Sequence, residues 1–541
     1  MPTLYQAFRQ SAEGNPGRPA LYWKDSRWRP IVYKELLDKI DRLAWSLKEV
    51  GVKKGSHTAI MCENRPEWLI SDLAINKLGA VSVPIHITSS KPLVENIIRD
   101  SQSGFLIANK KYFDNMKGLQ SVFPDLKFIV VDGGGSADNN FSDFTSLVKE
   151  AGSQSYKELA PEENELASII YTSGTTGDPK GVMLTNANFL SNALAALERI
   201  PISRNDRFLS FLPLSHVLER TAGSYVPLLS GASIAYADNY KNLPACLKEM
   251  RPTVLISVPK VFETTQEKMT ALIRKKHRVI RRLFYKSLKQ KKKSLVWYLA
   301  NILVHAKIRR SFGGRLRFAI IGGAGINPKI LKFFSAVGIR ILEGYGLTET
   351  SPVVAVNNLE DPRTGTVGKP LKGTEVRIAP DKEILVKGPG VMAGYWNKEK
   401  ETREVFDDAG WLKTGDLGFL DNDGYLSIIG RKKEIIVTSN GKNVSPEKVE
   451  SVVNLSPYIF QSLLVGHRKS FLSCLVVPDY ERIGQDFGVE CIPSTPSIDE
   501  PEKALIRDEC RLAVKKVEDL INEEVKKANV SLQPYERKKM S

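Results

Sequence analysis

The chain has 541 residues, of which 42% are hydrophobic and 26% are charged, and it carries a net charge of +17. This length exceeds that of one ordinary core and predicts two or three domains, with a composition typical of a soluble globular protein. Five cysteines without a CxxC pair argue against a disulfide framework or a zinc site, and no run of 18 apolar residues predicts a membrane span, so a cytoplasmic location is expected.

Helices that alternate with short apolar strands are predicted along the chain. Apolar residues recur at helical spacing over residues 33–50, and Gly51 ends that helix. The other predicted elements are a helix at 67–78 and strands at 57–61, 81–87, 128–131, 166–171, 254–258, 317–322, 339–343 and 473–477. This alternation predicts an α/β fold with mainly parallel sheets and crossover helices. The chain becomes strongly charged near residue 430, which predicts a large domain of residues 1–430 and a smaller α+β domain of residues 431–541.

The strongest chemical signal is the stretch YTSGTTGDPKGVML at residues 171–184. A predicted strand enters a loop of small hydroxylated residues and glycines, and Lys180 and Gly181 close the loop. Glycines let backbone N–H groups turn inward, so such a loop can surround phosphate oxygens, while Lys180 supplies positive charge. An ordinary glycine-rich hairpin is the structural alternative. A Walker A loop is excluded because GxxxxGK[ST] is absent.

This loop resembles the phosphate-binding signature of the adenylate-forming (AMP-binding) superfamily, which includes acyl-CoA synthetases, firefly luciferase and peptide-synthetase adenylation domains. The resemblance implies ATP, Mg²⁺ and coenzyme A as cofactor and co-substrates, and it implies catalytic roles for Thr172 and Lys180, with Thr172 also a metal ligand. The phosphate-binding residues that it implies are Thr172, Ser173, Gly174, Thr175, Thr176, Gly177 and Lys180.

FLPLSHVLER at residues 211–220 resembles the family's substrate-pocket segment. The resemblance implies that His216 lies near the acyl carboxylate and the ATP phosphates. The helix-rich basic stretch over residues 258–317 then looks like an insert of the long-chain fatty-acid–CoA ligases.

The basic insert holds most of the net charge. Residues 269–342 contain no Asp or Glu, and residues 269–317 contain sixteen Lys and Arg. We interpret residues 269–317 as a contact with anionic membrane, since each basic residue near such a surface contributes about 1 kcal/mol. Aromatic residues among the charges suit that interface, namely Phe284, Tyr285, Trp297 and Tyr298. A solvated helix face is the alternative, and nucleic acid is not expected as a partner because no nucleic-acid motif accompanies the charge.

GGAG at residues 322–325 and EGYGLTET at residues 343–350 resemble two further family motifs. The likeness implies that Tyr345 stacks on adenine, that Thr348 contacts the α-phosphate and that Glu349 helps to hold Mg²⁺. Attack of a carboxylate on phosphorus brings anions together, so a metal and hydroxyl donors must offset the repulsion. The nucleotide-binding residues implied here are Gly323, Ala324, Glu343, Gly344, Tyr345, Gly346 and Thr348.

The resemblance continues through the predicted domain boundary. Asp416, in the tripeptide TGD, and Arg431 match the residues that bind the ribose hydroxyls. Lys433 matches the position at which the family's small domain swivels between an adenylating and a thiolating arrangement. In the SNGKNVSP segment that follows, Gly441 would let the backbone approach the pantetheine arm of coenzyme A.

The family also carries a lysine, in a TPTLK-like or SGK-like stretch, that reaches the carboxylate and the α-phosphate. Neither Lys538 nor Lys539 matches this lysine. The resemblance therefore implies a C-terminal domain that is incomplete relative to the family, and a weakened adenylation step is expected.

Taken together, these motifs predict an ATP-dependent ligase that converts a long-chain fatty acid, through an acyl-adenylate, to acyl-CoA with release of AMP and pyrophosphate. Two alternatives remain open: a ligase for another carboxylic acid or thiol acceptor, and a catalytically weak homologue that binds nucleotide or acyl-adenylate. The unmatched lysine favours the second alternative, and the intact loop opposes it. The expected location is cytoplasmic, with peripheral contact at the inner face of a membrane.

Overall fold

A computed structural model describes residues 2–116, 118–133, 141–151, 162–172, 179–237, 240–289, 294–487, 508–530, 532 and 536. The elements up to residue 199 are α1 (Leu4–Gly14), β1 (Pro19–Lys24), β2 (Trp28–Val32), α2 (Tyr33–Glu49), β3 (His57–Met61), α3 (Pro66–Lys77), β4 (Val81–Pro84), α4 (Lys91–Ser101), β5 (Phe105–Asn109), α5 (Lys110–Asn115), α6 (Leu119–Val122), β6 (Lys127–Val131), β7 (Phe141–Asp143), α7 (Phe144–Glu150), β8 (Leu166–Thr172), β9 (Lys180–Thr185) and α8 (Asn186–Arg199).

The next elements are β10 (Arg207–Ser210), α9 (Val217–Arg220), a π-helical turn (Thr221–Tyr225), α10 (Val226–Leu229), β11 (Ser233–Tyr236), a 3₁₀ turn (Tyr240–Asn242), α11 (Leu243–Met250), β12 (Val254–Ser257), α12 (Pro259–Arg274), α13 (Arg278–Leu288), α14 (Leu295–Ala300), a second π-helical turn (Asn301–His305), α15 (Ala306–Ser311), β13 (Phe318–Ile321), α16 (Pro328–Val337), β14 (Ile341–Gly346), a 3₁₀ turn (Thr348–Thr350) and β15 (Val353–Val356). Each π-helical turn joins its flanking α-helices into one continuous helix, over residues 217–229 and 295–311.

The remaining elements are β16 (Lys369–Pro370), β17 (Glu375–Ile378), β18 (Glu383–Lys387), β19 (Gly394–Tyr395), α17 (Glu399–Val405), β20 (Leu412–Leu420), β21 (Leu426–Arg431), β22 (Ile436–Val437), β23 (Asn443–Val444), α18 (Pro446–Val453), β24 (Ile459–Val465), β25 (Ser473–Pro478), α19 (Tyr480–Phe487) and α20 (Asp508–Val530).

Two large sheets form the centre of the molecule. An eight-stranded sheet has the order β19-β9-β8-β4-β3-β5-β6-β7, and its strands from β8 to β7 pair in parallel. A nine-stranded sheet has the order β16-β15-β14-β13-β12-β10-β11-β1-β2, with parallel pairing from β14 to β1. Strands such as β5 and β12 are buried along their whole length, as expected when helices cover both faces of a parallel sheet. The predicted α/β fold class is confirmed.

Most predicted strands agree with the structure, but the predicted range of β4 is too long. The strand predicted at 57–61 coincides with β3, whereas the strand predicted at 81–87 ends at Pro84. Pro84 has no N–H to donate, and just beyond it the carbonyl of His86 accepts a hydrogen bond from the Ser89 N–H, which forms a turn. His86 therefore lies in a loop beyond the end of β4.

A smaller C-terminal domain follows the four-stranded antiparallel sheet β17-β18-β20-β21. Its two strand pairs, β22-β23 and β24-β25, and its helices surround a separate apolar cluster. Members of this cluster include Ile436, Val449, Leu464, Ile483 and Val525. A large domain with mainly parallel sheets and a smaller C-terminal domain are thus confirmed, while the boundary at 430/431 stays a prediction.

The basic stretch is helical, but its aromatic residues do not all point outward. Phe284 is fully buried, and its ring packs edge to face against the rings of His305 and Phe333, so the prediction that it lies at a membrane interface is wrong. The indole N–H of Trp297 donates a hydrogen bond to the Ala336 carbonyl at 2.7 Å, which ties α14 to α16. Among the described residues, no helix combines the length and the apolar character needed to cross a bilayer.

Candidate active site

A cavity of about 410 Å³ lies between the central strands of the nine-stranded sheet and two helices, α8 and helix 217–229. Most of its lining is apolar, as in Ala196, Ile200, Phe208, Ala222, Ile256 and Val356. Polar groups are contributed by His216, Tyr345 and Thr348. An apolar cleft with a few convergent polar groups suits a ligand that has a long apolar part and a polar end.

Helix 217–229 forms one wall of this cavity and contains the first π-helical turn. Glu219 precedes the turn, and its side chain is buried. Burial raises the pKa of Glu219 to about 8, so this carboxyl group is neutral at pH 7. A Cβ atom on Gly223 would lie 2.5 Å from Glu219 Oε1, so a larger residue there would force the buried carboxyl group to shift.

Arg220 joins the same helix to the eight-stranded sheet. Its buried guanidinium forms an ion pair with Asp72 on α3. It also donates hydrogen bonds to Ser168 Oγ on β8 at 2.7 Å and to Ser82 Oγ on β4 at 2.6 Å. Since β8 ends at Thr172, at the start of the predicted phosphate loop, this network fixes the cavity wall relative to the base of that loop.

The predicted phosphate loop is described only at its base. Thr172 and Lys180 are partners in the antiparallel β8-β9 ladder, so they face each other where the loop begins and ends. The predicted loop residues Ser173, Gly174, Thr175, Thr176 and Gly177 lie outside the described residues.

Tyr395, a residue that the sequence motifs did not predict, contacts both Glu349 and Lys180. Tyr395, on β19, donates a hydrogen bond from its hydroxyl to Glu349 Oε1 at 2.9 Å. The Lys180 ammonium lies 5.0 Å from the centre of the Tyr395 ring, a cation–π distance. The strand pair β9-β19 brings Tyr395 to this position, and the sequence around it contains no motif that predicts the contact.

Three predicted nucleotide residues from three strands meet beside the cavity. The hydroxyl of Tyr345 donates to Asp416 Oδ2 at 2.6 Å, and Arg431 Nε lies 2.9 Å from Asp416 Oδ1. Asp416 and Arg431 are direct partners in the β20-β21 ladder. Burial raises the pKa of Asp416, while the hydrogen bond from Tyr345 and the charge of Arg431 act in the opposite direction.

His216 lies at the N-terminus of helix 217–229 and lines the cavity. Its ring centre is 5.5 Å from that of His86, a second residue that the sequence did not single out. Burial lowers the pKa of His216, and the charge of a protonated His86 lowers it further. Burial also lowers the pKa of His86.

The motifs GGAG and EGYGLTET reach the cavity through their glycines. Gly323, Gly344 and Gly346 line it, whereas Ala324 is exposed and does not. A Cβ atom on Gly346 would lie 1.8 Å from the Pro352 carbonyl oxygen, so only glycine fits there. Glu343 accepts a hydrogen bond from the Gly365 N–H at 3.3 Å, and burial raises its pKa to about 7.

At the predicted pivot, the side chain of Lys432 forms two ion pairs. Lys432 lies 2.6 Å from both Asp381 and Glu383 of the large domain. Lys433, the next residue, is exposed. Gly441 has a φ of +71° at the exposed end of the β22-β23 hairpin, a backbone conformation that favours glycine.

The described residues contain no cluster of three or more His, Cys, Asp or Glu side chains that could hold a metal ion. Mg²⁺ usually binds through one or two protein carboxylates together with substrate phosphates rather than in a cage of side chains. Glu349 fits that requirement, because its carboxylate has acceptor capacity beyond the one hydrogen bond from Tyr395. The hydroxyl of Thr172 lies at the base of the predicted phosphate loop and is the second candidate ligand.

Two family models match this chain. The model of the AMP-binding enzyme matches residues 8–396, and that of the AMP-binding enzyme C-terminal domain matches residues 433–492. The chain therefore belongs to the AMP-binding enzyme family, and the resemblance drawn from the motifs is confirmed.

Two of the similar proteins have names that specify long-chain acids as substrates. The long-chain-fatty-acid–CoA ligase FadD15 of Mycobacterium bovis is 37% identical over 498 residues, which cover 84% of this chain and 78% of that protein. The peroxisomal long chain acyl-CoA synthetase 6 of Arabidopsis thaliana is 32% identical over 486 residues, which cover 84% of this chain and 68% of that protein.

Solved structures share the architecture. The adenylation domain of a carboxylate reductase from Mycobacterium chelonae matches with a TM-score of 0.80 at 20% identity, over 99% of this chain and 85% of that chain. ATP-bound MatB from Rhodopseudomonas palustris matches with a TM-score of 0.70 at 25% identity, over 88% of this chain and 89% of that chain. The first likeness shows the fold alone.

Proposed function

We propose that the chain is an ATP-dependent ligase that converts a long-chain fatty acid, through an acyl-adenylate, to acyl-CoA, with release of AMP and pyrophosphate. The observation that carries this proposal is the largely apolar cavity of about 410 Å³ whose lining includes the polar residues His216, Tyr345 and Thr348. An acyl chain would occupy the apolar lining, and its carboxylate would lie beside these polar residues. The relatives named as long-chain-fatty-acid–CoA ligase and long chain acyl-CoA synthetase support this substrate class.

For the nucleotide, the proposal assigns adenine to the Tyr345 ring and the ribose hydroxyls to Asp416 and Arg431. The direct contacts among these three residues support a shared ligand. Thr348, three residues beyond Tyr345, would donate to the α-phosphate, and His216 would lie near the acyl carboxylate. ATP-bound MatB supports ATP as the nucleotide.

The proposal places the leaving phosphates at the base of the phosphate loop. Lys180 supplies positive charge there, and the Tyr395 ring beneath its ammonium helps to fix its position. Glu349 and Thr172 would hold Mg²⁺, which when bound offsets the negative charge that develops on the phosphates. Tyr395 positions Glu349 for this task through its hydrogen bond.

We further propose a domain boundary at 430/431 and a pivot at Lys433. The ion pairs of Lys432 with Asp381 and Glu383 hold the chain to the large domain up to that residue. These ion pairs precede Lys433, so rotation beyond Lys432 breaks neither of them. The family model of the C-terminal domain begins at residue 433, which supports this position.

The hairpin that carries Gly441 is proposed to receive the pantetheine arm of coenzyme A. Glu447 follows this hairpin in the first turn of α18, and its carboxylate accepts a hydrogen bond from the Gly325 N–H at 2.8 Å. Gly325 belongs to the GGAG turn, two residues beyond Gly323 of the cavity lining. This contact supports an arrangement in which the hairpin side of the small domain lies close to the substrate cavity.

Residues 269–317 are proposed to touch an anionic membrane at its cytoplasmic face. Large apolar side chains are exposed among the basic residues, namely Val279, Leu295, Tyr298, Leu299, Ile302 and Leu303. Exposed apolar groups beside Lys and Arg are the combination that amphipathic segments use at a lipid interface. Lys291, Lys292 and Lys293 of this stretch lie outside the described residues.

Sedimentation with vesicles tests the membrane contact. Arg278, Arg282 and Lys286 are exposed and lie on one face of α13, so their joint replacement by Gln should weaken binding to phosphatidylserine-containing vesicles by roughly 10²-fold. Replacement of Lys398, Lys400 and Arg403 near α17 is the matched control and should change little. Binding that is equal for both triple variants, or unaffected by salt, would leave the basic run as a solvated face.

Pyrophosphate release tests the ligase proposal. The chain is assayed with ATP, Mg²⁺ and saturated acids from butyrate to stearate, and release should be greatest with the long acids. Glu349→Gln removes a charge from the proposed Mg²⁺ site and should slow release roughly 10²- to 10³-fold without altering the fold. Release with short or aromatic acids alone would instead favour a ligase for another acid. ATP binding without release for any acid would favour the catalytically weak homologue.

A further inference from the structure

The turn that carries Thr348 and Glu349 is short, and its own hydrogen bonds do not attach it to the rest of the molecule. It is a single 3₁₀ turn, Thr348–Thr350, between β14 and β15. The Thr350 N–H donates to the Leu347 carbonyl, and the Leu347 N–H donates to Thr350 Oγ1, both at 3.0 Å. These bonds define the shape of the turn, so its position depends on contacts with other elements.

Asn192 on α8 provides three such contacts. Its side chain is buried, and its amide group donates to the Thr350 carbonyl at 3.2 Å and to the Val353 carbonyl at 2.8 Å. Asn192 Oδ1 accepts a hydrogen bond from the Val353 N–H at 3.2 Å. Because carbonyl groups only accept and backbone N–H groups only donate, these partners fix the orientation of the amide. Asn192 thus holds both ends of the segment 350–353, directly after Glu349.

The backbone on the other side of the turn is equally close. A Cβ atom on Gly390 would lie 3.1 Å from the Thr350 carbonyl oxygen and 3.2 Å from Asn192 Nδ2. Two residues further on, the Met392 N–H donates to the Glu349 carbonyl at 2.9 Å. The turn is therefore enclosed between α8 and the segment 390–392, which leaves little room for it to shift.

The same face of α8 contacts two further parts of the site. Asn188, one helical turn before Asn192, donates to the carbonyls of Pro389 and Val391 at 2.7 Å and 2.9 Å. Ala196, one helical turn after Asn192, lines the apolar cavity. Residues four apart in a helix lie on one face, so α8 joins the cavity lining, the 3₁₀ turn and the segment that leads to β19.

We propose that Asn192 is a positioning residue for the ligase reaction, whose hydrogen bonds fix the 3₁₀ turn so that Thr348 meets the α-phosphate and Glu349 meets Mg²⁺. The inference rests on the proposed function. In adenylate formation, a carboxylate oxygen bonds to the α-phosphorus, the bond from that phosphorus to the bridging oxygen breaks, and pyrophosphate leaves with the electron pair. Negative charge accumulates in this step, and misplacing the groups that offset it by about 1 Å costs roughly 10²-fold in rate.

The experiment compares Asn192→Leu and Asn192→Ala with the parent chain. Leucine has nearly the shape of asparagine without its polar groups, so the first variant removes the hydrogen bonds and keeps most of the packing. Asn76→Leu is the matched control. Asn76 is also buried, accepts from the Tyr5 N–H at 3.1 Å and donates to Asn186 Oδ1 at 2.8 Å. Since Asn186 is the first residue of α8, the control removes comparable bonds at the other end of the same helix.

Two quantities are measured on each folded chain: pyrophosphate release, and the ratio of the Kd for ATP in EDTA to the Kd in excess Mg²⁺. In both Asn192 variants kcat should fall roughly 10²-fold with little change in KM for the acid, as for an interaction made in the transition state. The Kd ratio, which needs no turnover, should fall about tenfold or more, as when a metal ligand loses the group that orients it. Asn76→Leu should leave both quantities unchanged.

An unchanged Kd ratio in both Asn192 variants would overturn the proposal, and so would a parent chain that binds ATP equally with and without Mg²⁺. Equal losses in Asn76→Leu would also overturn it, because general loosening of α8 would then account for the effect. A parent that releases no pyrophosphate with any acid, while the ratio falls in the Asn192 variants alone, would support the positioning role and count against the ligase function.

Discussion

The two π-helical turns of the large domain have the same length but opposite surroundings. In Thr221–Tyr225 every residue is buried, and the turn lies in the helix that forms a wall of the large apolar cavity. In Asn301–His305, Val304 and His305 are buried, whereas Ile302 and Leu303 are exposed. π-helical turns are frequent at functional sites, yet only the first of these lies at a cavity with convergent polar groups.

A buried titratable side chain lies at each turn, Glu219 just before the first and His305 at the end of the second, and burial shifts their pKa values in opposite directions. Glu219 is kept neutral by retaining its proton, with a pKa raised to about 8. His305 is kept neutral by remaining unprotonated, since burial and the charge of Arg309 lower its pKa to about 4. His305 Nε2 lies 3.0 Å from Ser287 Oγ, and its ring packs against Phe284 and Trp297. The irregular helix geometry thus occurs in a cavity wall in one place and in the packing of the basic helices in the other.

The largest expected effect is a pH-dependent decrease in the free energy of unfolding, caused by ionisation of Glu219. Because its folded pKa lies above the unfolded value, the stability it contributes is complete below pH 4.5 and is lost as pH rises through about 8. Relative to Glu219→Gln, which cannot ionise, the parent should lose about 5 kcal/mol over that window. Urea unfolding of both chains at pH 5 and at pH 8.5 measures the difference. A difference that is the same at both pH values contradicts the assignment, and Glu399→Gln on exposed α17 serves as the control.

A slightly smaller loss is expected from Arg220→Met. This change leaves the carboxylate of Asp72 buried without its ion-pair partner, which should destabilise the fold by about 3–5 kcal/mol. The double variant Arg220→Met with Asp72→Leu removes both charges and should recover most of the loss. Urea midpoints at pH 7 give both values. If the single variant were as stable as the parent, the network would not anchor the cavity wall.

The stability that His305 contributes in the second turn should decrease in acid rather than in base. The folded pKa of His305 lies below the unfolded value of 6.5, so its contribution is complete above that pH and is lost as pH falls towards about 4. Relative to His305→Gln, the parent should lose about 3 kcal/mol between these limits. Unfolding at pH 7 and at pH 4.5 provides the measurement. A pH-independent difference would mean that His305 binds its proton equally well in the folded and unfolded chains, so that burial does not lower its pKa.

The smallest effects should separate the two turns by function. Ala222 lines the cavity, so Ala222→Leu should lower kcat/KM for the longest acids about tenfold relative to shorter ones. Ile302 is exposed on the second turn, and Ile302→Ser should leave that preference unchanged and alter the free energy of unfolding by less than about 0.5 kcal/mol. A change in chain-length preference in Ile302→Ser would mean that the two turns are coupled.

The sequence predicted what depends on local pattern. The apolar strands, the α/β class and the motif residues at strand ends follow from periodicity and spacing, and the contacts of Tyr345 with Asp416 and of Asp416 with Arg431 agree with a common nucleotide site. These residues lie in segments whose glycines and hydroxyl groups are unusual in themselves. The roles assigned to them stay predictions until they are measured.

What escaped prediction depends on residues that are far apart in the chain. His86 reaches His216, and Tyr395 reaches Glu349, only through the order of strands in the eight-stranded sheet and its neighbours. The burial of Phe284 likewise depends on helices that pack across it, so an aromatic residue among lysines and arginines looked interfacial when it is part of the core. Neither π-helical turn has a local sequence signal that distinguishes it from an α-helix.

The attachment of Lys432 has a consequence for the order of events in a catalytic cycle. Arg431 is paired with Asp416, and Lys432 forms ion pairs with Asp381 and Glu383. Both residues lie just beyond the proposed boundary at 430/431 but before the proposed pivot at Lys433, so both would stay with the large domain during a rotation there. Reorientation of the small domain would therefore leave Asp416 and Arg431, the residues proposed to bind the ribose hydroxyls, in place. AMP would then depart at a rate set by the large domain alone, uncoupled from the motion that admits coenzyme A.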